Sequence, residues 1–264
     1  MASTPPAIVK FDDYVTDFRQ FMDEVVLKRN WSSLQLLTNS MGGAIGTFYL
    51  MNHPDIFASA VLVSPMYQIK TTPYSLNVAT TITGAAVALG AGQKASLDRK
   101  GYEPFPPFGR NEVTHSLARF NMAAAFCSAD PDLVIGRPTH RWVHETLRAT
   151  RTLRAEGVKL HIPTLILQAG QDKIVEVAAQ DQLCSAAADC KGVRYSGAFH
   201  ELMMESDPVR DDVLKCVVDF FRSHSKAGGG GEIETMWDVC PPCEGGACTQ
   251  ETSGGFPLLK VLTP

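Results

Sequence analysis

Apolar and polar residues near the start of the chain follow the period of an α-helix. Between Phe11 and Lys28 the apolar residues recur at spacings of three and four, and charged residues occupy the other side. This pattern predicts an amphipathic helix. Similar patterns predict helices from Gly42 to about Asn52, from Glu176 to Ala187 and from Pro208 to His224.

Short apolar runs lie between these helices. Each run is bounded by polar or turn-forming residues, as expected of strands that are buried on both faces. The runs are Leu34–Leu37, Ala60–Val63 and Leu165–Leu167, and a further short strand is predicted at Val193–Tyr195. Because strands and helices alternate, the sequence predicts an α/β fold with a mostly parallel sheet.

A long segment separates the second predicted strand from the third. We therefore divide the chain into a first core part (8–65), an insertion (66–161), a second core part (162–225) and a tail (226–264). Helical periodicity recurs inside the insertion, at Leu117–Phe126 and Trp142–Leu153. The insertion is expected to form a mostly helical lid. The tail is rich in Gly, Thr and Ser and has no periodicity, so we expect it to be disordered.

The candidate nucleophile is Ser40, which lies where a strand is expected to turn sharply into a helix. A serine hydroxyl is a weak nucleophile and needs an exposed position beside a base. The sequence Thr38-Asn39-Ser40-Met41-Gly42-Gly43 matches the nucleophile-elbow pattern G-x-S-x-G at the serine and at its second glycine. Thr38 replaces the first glycine and is expected to crowd the turn. A plain turn is the alternative interpretation of this short motif.

Two further residues complete a candidate catalytic triad. Asp172 follows the third predicted strand, where its carboxylate could orient a histidine, although it could also cap the next helix. His200 lies in the loop before the last helix, where it could act as a base. The other histidines are expected to be surface or lid residues. They are His53, His115, His140, His144, His161 and His224.

Composition narrows the range of partners. The 264 residues have a net charge of −4 and no Lys/Arg cluster, which argues against a nucleic-acid partner. The longest uncharged stretch, 71–93, is interrupted by Pro73 and several glycines and falls short of a membrane span. Met1–Ala7 resembles neither a signal nor a transit peptide, so a cytoplasmic location is expected.

The cysteines do not form a recognisable framework. There are seven, an odd number, and reduced thiols are expected for the four that are scattered through the predicted core and insertion, Cys127, Cys184, Cys190 and Cys216. In the tail, Cys240-x-x-Cys243 and Cys248 lack a fourth ligand nearby, so no metal site is expected.

Several separate segments, taken in order, resemble bacterial lysophospholipases of the monoacylglycerol-lipase-like α/β-hydrolases. The resemblance extends over roughly 11–224. Its segments are Asn39-Ser40-Met41-Gly42-Gly43-Ala44-Ile45, His53-Pro54, Ser64-Pro65-Met66, Thr114-His115-Ser116, Pro138-Thr139-His140-Arg141-Trp142-Val143, Ala169-Gly170-Gln171-Asp172 and Gly197-Ala198-Phe199-His200-Glu201.

This resemblance implies an α/β-hydrolase fold and a serine hydrolase that cleaves esters of single-chain lipids through an acyl-enzyme on Ser40. Asp172 and His200 would be the acid and the base, and Met41 would donate its backbone N–H to the oxyanion. No cofactor or metal is implied. A transient contact of the lid with a membrane surface is left open.

The region before Ser40 departs from this family. Such enzymes have several strands and a His-Gly loop before the elbow, whereas only 39 residues precede Ser40 and most of them are expected in one helix. The sheet is therefore expected to be N-terminally incomplete. Loss of one oxyanion donor would lower turnover by about a hundred- to a thousand-fold.

Two alternatives to a lipid esterase remain open at this point. The related aminopeptidase branch shares the elbow and the triad and differs mainly in its substrate contacts. A binding or regulatory relative without full activity would explain Thr38 and the absent loop.

Overall fold

The computed structural model of the protein describes residues 8–96 and 104–225 together with the backbone of 260–262. Five strands form one sheet in the order β1-β2-β3-β4-β5. All neighbouring strands run parallel. The strands are β1 (Gln35–Asn39), β2 (Ser59–Val63), β3 (Thr164–Ala169), β4 (Cys190–Tyr195) and β5 (Lys260–Leu262).

Helices connect the strands. They are α1 (Asp12–Phe21), α2 (Met41–Asn52), α3 (Leu76–Ala88), α4 (Leu117–Ala129), α5 (His140–Glu156), α6 (Val177–Ala186) and α7 (Asp207–Ser223). A short π-helix, Met22–Val26, continues α1. The predicted α/β class and mostly parallel sheet are confirmed, and each helix and strand predicted from the sequence is present with bounds shifted by a few residues.

The sheet is buried on both faces by the alternation of its side chains. In β2, Leu62 belongs to the core cluster that also contains residues of α2 and α5, whereas Val61 and Val63 belong to the cluster with α7. Alternate residues of a strand point to opposite faces, so continuous apolar runs are what such a two-sided core requires. Helices therefore cover both sides of the central strands.

The segment between β2 and β3 contains three of these helices, and α3 packs against α5. Each begins at a side chain that accepts a hydrogen bond from the first turn: Ser75 for α3, Ser116 for α4 and Thr139 for α5. The helical character predicted for this insertion is confirmed. None of the helices in the described part of the chain combines the length and apolarity needed to cross a bilayer.

Two expectations differ from the structure. Cys184 and Cys190 form a disulfide, where reduced thiols were expected, because the turn after α6 folds back and brings their Cα atoms to 5.2 Å. Disulfides are rare in the reducing cytoplasm, so this pair does not support the cytoplasmic location. In the tail, where no regular structure was expected, Lys260–Leu262 pairs with β4. Cys240, Cys243 and Cys248 lie outside the described residues.

Candidate active site

Ser40 lies between the last residue of β1 and the first residue of α2. Its φ of 50° and ψ of −118° are unusual for a residue with a side chain. Its N–H donates to the carbonyl of Val63, and its own carbonyl accepts from the N–H groups of Gly43 and Met66, each at 2.9 Å. These three bonds hold a strained turn of the kind found at functional sites. The turn presents the half-buried Ser40 at the carboxyl end of the sheet.

Glycines in α2 make room for this turn. A Cβ on Gly43 would lie 2.6 Å from the Cβ of Pro65, so only glycine permits this approach. The methyl group of Thr38 lies 3.0 Å from the point where a Cβ on Gly46 would be. Thr38 therefore fits against the side-chain-free face of α2. The crowding expected from Thr38 is relieved by Gly46, which the short elbow pattern does not include.

The structure brings Ser40, His200 and Asp172 into one hydrogen-bonded row. His200 Nε2 lies 2.8 Å from Ser40 Oγ, and His200 Nδ1 lies 2.6 Å from Asp172 Oδ2. Both His200 and Asp172 are buried. This arrangement suits proton transfer from the serine to the histidine, because the carboxylate orients the ring and stabilises its charged form.

Three strand ends supply the three side chains. Ser40 follows β1, Asp172 follows β3 and His200 follows β4, so all three lie at the carboxyl edge of the parallel sheet. Of the two roles considered for Asp172 from the sequence, the structure shows the contact with the histidine and not the cap of α6, whose N-cap residue is Glu176. Its Oδ1 accepts the N–H groups of Ile174 and Val175 before α6, and its Oδ2 contacts the histidine.

Two residues outside the sequence-based site fix the loops of the acid and the base. Ser64 Oγ donates to the carbonyl of His200 at 2.8 Å, and Lys70 Nζ donates to the carbonyl of Asp172. Ser64 itself has a positive φ of 42° at the end of β2. The Ser64-Pro65-Met66 segment was noticed in the sequence only as part of the family resemblance, because a backbone-directed hydrogen bond has no motif of its own.

The remaining elbow residues lie next to the nucleophile. Met41 is the first residue of α2, so its N–H is one of the first-turn amides that have no acceptor within the helix. Such amides and the helix dipole favour negative charge. Asn39, the last residue of β1, donates from Nδ2 to Glu201 Oε2 at 3.0 Å. A Cβ on Gly42 would make only ordinary contact, at 3.8 Å from Thr38.

A buried chain of hydroxyl groups supports the first turn of α2. Thr47 Oγ1 donates to the carbonyl of Gly43 at 2.7 Å, and the Tyr67 hydroxyl lies 2.8 Å from Thr47 Oγ1. Burial raises the pKa of Tyr67 well above its usual range. The phenol therefore stays protonated and can donate to Thr47 at neutral pH.

Glu205 joins the insertion to the loop that carries His200. This buried carboxylate accepts from the N–H groups of Phe199, Ser206 and His115, and His115 Nδ1 lies 2.8 Å from Glu205 Oε1. His115, which we expected to be a surface or lid residue, also stacks on Phe199 with ring centroids 3.9 Å apart. Sequence reasoning missed Glu205, because its partners come from two distant segments.

In the described part of the chain, no three side chains of His, Cys, Asp or Glu are arranged to hold a metal ion. Of the histidines in the described part of the chain, His200 is the one that belongs to the hydrogen-bonded row, and His115 contacts Glu205 instead.

Comparison with known proteins assigns the family. A family model described as serine aminopeptidase, S33, matches residues 5–207. Lysophospholipase L2 of Escherichia coli K12 is 31% identical over 240 residues, which cover 85% of this chain and 68% of that protein. A monoglyceride lipase homolog of monkeypox virus is 26% identical over 218 residues, covering 78% of this chain and 68% of that protein.

A solved structure shows the same fold. A soluble variant of monoglyceride lipase from Saccharomyces cerevisiae, crystallised with a substrate analog, superposes with a TM-score of 0.63 at 18% identity, covering 86% of this chain and 75% of that chain. The resemblance found in the sequence is thereby confirmed. The chain belongs to the lysophospholipase- and monoglyceride-lipase-like α/β-hydrolases of the serine aminopeptidase S33 family and is a serine ester hydrolase.

Proposed function

We propose that this protein cleaves the carboxylic ester of a single-chain lipid, a lysophospholipid or a monoacylglycerol, through an acyl-enzyme on Ser40. The observation that carries the proposal is the hydrogen-bonded row of Ser40, His200 and Asp172, with 2.8 Å and 2.6 Å between its polar atoms. The strained turn at Ser40 supports the proposal further, because it holds the serine hydroxyl beside its base.

In the proposed reaction, Ser40 Oγ attacks the ester carbon while its proton passes to His200 Nε2. Asp172 stabilises the resulting imidazolium through Nδ1. The bond to the alcohol then breaks, and Nε2–H protonates the departing oxygen. Water attacks the acyl-enzyme with His200 again as the base, which releases the fatty acid and restores the Ser40 hydroxyl.

The negative charge of the tetrahedral intermediate needs a hydrogen-bond donor. The Met41 N–H is suited to this role, since it lies in the first turn of α2 directly after the nucleophile. In the described residues before Ser40, α1 and a π-helix precede β1. A second donor from an early strand loop is therefore not part of this proposal.

The substrate class rests on the relatives and on the insertion. The E. coli relative named above is a lysophospholipase, and it covers most of this chain. Eight exposed large hydrophobic side chains lie in the described part of the insertion, which suits a lid that contacts a lipid surface transiently. They are Tyr74, Val78, Leu89, Leu117, Met122, Phe126, Leu133 and Ile135.

A peptidase is the second candidate, because the matching family model is described as a serine aminopeptidase. The chemistry at Ser40 would be the same, with an amine as the leaving group. Amino-acid 4-nitroanilides would distinguish this candidate from the esterase if they were cleaved in preference to monoacylglycerol and lysophospholipid.

A fluorophosphonate probe tests the proposal directly. We expect the probe to label wild type at Ser40 and to leave Ser40→Ala unlabelled.

Substitution of any one residue of the row should lower hydrolysis of monoacylglycerol and lysophospholipid by about a thousand-fold or more, in Ser40→Ala, Asp172→Asn and His200→Ala alike. The losses should not add, because the three groups act as a unit. Wild-type turnover in Ser40→Ala would show that the nucleophile lies elsewhere.

A further inference from the structure

A second carboxylate, that of Glu201, faces the base. Its Oε1 lies 4.0 Å from His200 Nε2, and its side chain is 31% exposed. Its other oxygen, Oε2, accepts the hydrogen bond from Asn39 Nδ2. The family motif ends at this residue, but neither the motif nor the proposed mechanism gives Glu201 a role.

Several contacts fix Glu201 in this position. Its N–H donates to the carbonyl of Val113 at 2.9 Å, which ties its backbone to the insertion. Asn39 holds Oε2 from the side of the elbow. Oε1 is consequently the oxygen directed toward the space beside His200, and a held carboxylate loses little side-chain entropy when it binds a ligand.

The reaction brings the alcohol of the ester to the same space. His200 Nε2 must come within about 2.6–3.2 Å of the departing oxygen in order to protonate it. Because Glu201 Oε1 is 4.0 Å from that nitrogen, a polar group on the carbon next to the ester can reach the carboxylate. An ionised carboxylate only accepts hydrogen bonds, so the matching group is a donor.

Single-chain glycerol esters have such a donor. In a monoacylglycerol or a 1-acyl lysophospholipid, the carbon next to the esterified one carries a free hydroxyl, whereas a 1,2-diacyl phospholipid or a triacylglycerol has no free glycerol hydroxyl. We propose that Glu201 accepts a hydrogen bond from this neighbouring hydroxyl and thereby favours single-chain esters over diacyl phospholipids and triacylglycerols. This inference rests on the proposed function, since it assigns the substrate contact of the same site.

The size of the effect follows from the exposure of Glu201. A hydrogen bond to a charged group is strong, but a carboxylate that water can reach is solvated when the substrate lacks the hydroxyl. The preference for the hydroxylated ester is therefore expected to be about ten-fold, at the low end for a charged acceptor. A residue that only braces the loop would change the rate for all esters alike.

The experiment compares 2-hydroxyethyl hexanoate with propyl hexanoate, which differ only by a hydroxyl in place of a methyl group. The ratio of their kcat/KM values is measured for wild type, Glu201→Gln and Glu201→Leu. We expect a ratio of about ten in wild type, a ratio near one in Glu201→Leu and an intermediate ratio in Glu201→Gln. The ratio does not depend on the fraction of folded enzyme, and fluorophosphonate labelling counts the active sites.

Glu156→Gln is the matched control, because it removes an exposed charge that pairs with Lys159 at the end of α5. Its ratio should equal that of wild type. If Glu201→Leu does not fold, the ratio in Glu201→Gln decides, and a ratio unchanged from wild type overturns the inference. A wild-type ratio near one, with Ser40 labelled and both esters cleaved, overturns the inference and leaves the proposed function standing. Wild type that cleaves neither ester and is not labelled overturns both.

Discussion

At the scale of single residues, Gly43 sets the shape of the elbow. It contacts Pro65 at the point where the first turn of α2 meets the loop after β2, and its N–H donates to the Ser40 carbonyl. A methyl group here would lie 2.8 Å from the Pro65 Cα, which is backbone and cannot turn aside. The turn at Ser40 and the loop of Pro65 would have to separate.

We therefore expect Gly43→Ala to lower the free energy of unfolding by about 2 kcal/mol, because the overpacking outweighs the better helix propensity of alanine. Gly42→Ala is the matched control. Its Cβ would lie 3.8 Å from Thr38, and the change should be neutral or stabilising by up to about 1 kcal/mol. Urea unfolding measures both, and equal stabilities of the two variants would contradict this account.

The residues of the candidate triad could be proposed from the sequence, whereas their supports could not. Ser40, Asp172 and His200 each follow a recognisable strand, and their order along the chain is informative. Ser64 donates to the carbonyl of His200 and Glu205 accepts from the N–H of His115, and both of these backbone groups are distant in sequence. The effect of Thr38 could not be predicted from the sequence either. Its side chain has room because Gly46, on the face of α2 that contacts β1, has no side chain.

At the scale of elements, the spacing of apolar residues along the chain predicted most of the helices and strands. Uninterrupted apolar runs of the central strands and the three- and four-residue spacing in α1, α5 and α7 reflect burial directly. The ends of the strands were predicted less accurately. The predicted first strand stopped at Leu37, whereas β1 continues through the polar Asn39, whose backbone pairs with Val63. β5 was missed because its short apolar-rich run, 258–262, lies in a tail whose Gly-, Thr- and Ser-rich composition predicted no regular structure.

The disulfide between the end of α6 and the start of β4 leads to a prediction at this scale. Cross-linking Cys184 to Cys190 restricts the unfolded chain, and for so short a loop the stabilisation is about 2 kcal/mol. We expect the melting temperature of wild type to fall when a reductant is added.

The double variant Cys184→Ser/Cys190→Ser should melt at the temperature of reduced wild type and should not respond to the reductant. Cys127 and Cys216 form no disulfide in the described part of the chain and remain in both proteins, so they serve as the internal control. A melting temperature of wild type that is the same with and without reductant would show that the cross-link does not contribute to stability.

At the scale of the whole molecule, the insertion and the core meet at the candidate site. Glu205 and Glu201 both connect the loop of His200 to residues of the insertion, through His115 and Val113. A movement of the insertion would therefore also displace the loop that carries His200.

The sheet itself has an open side in the described part of the chain, because β1 stands at one end of the strand order. Edge strands expose backbone groups that can pair with another chain unless charge or cover prevents it. Leu37, in the middle of β1, is 41% exposed and lies in register with Val61 of β2.

We expect the protein to self-associate through this edge in a concentration-dependent way, and Leu37→Lys to weaken the association by placing a charge there. The change should affect stability by less than about 1 kcal/mol, since the side chain is already partly in water. Sedimentation velocity over a range of concentrations measures the effect, with Val9→Lys as the control for added charge, because Val9 is 66% exposed and lies before α1. Equal association of wild type and Leu37→Lys would show that the β1 edge is not the contact, and equal weakening by both substitutions would indicate a general effect of net charge.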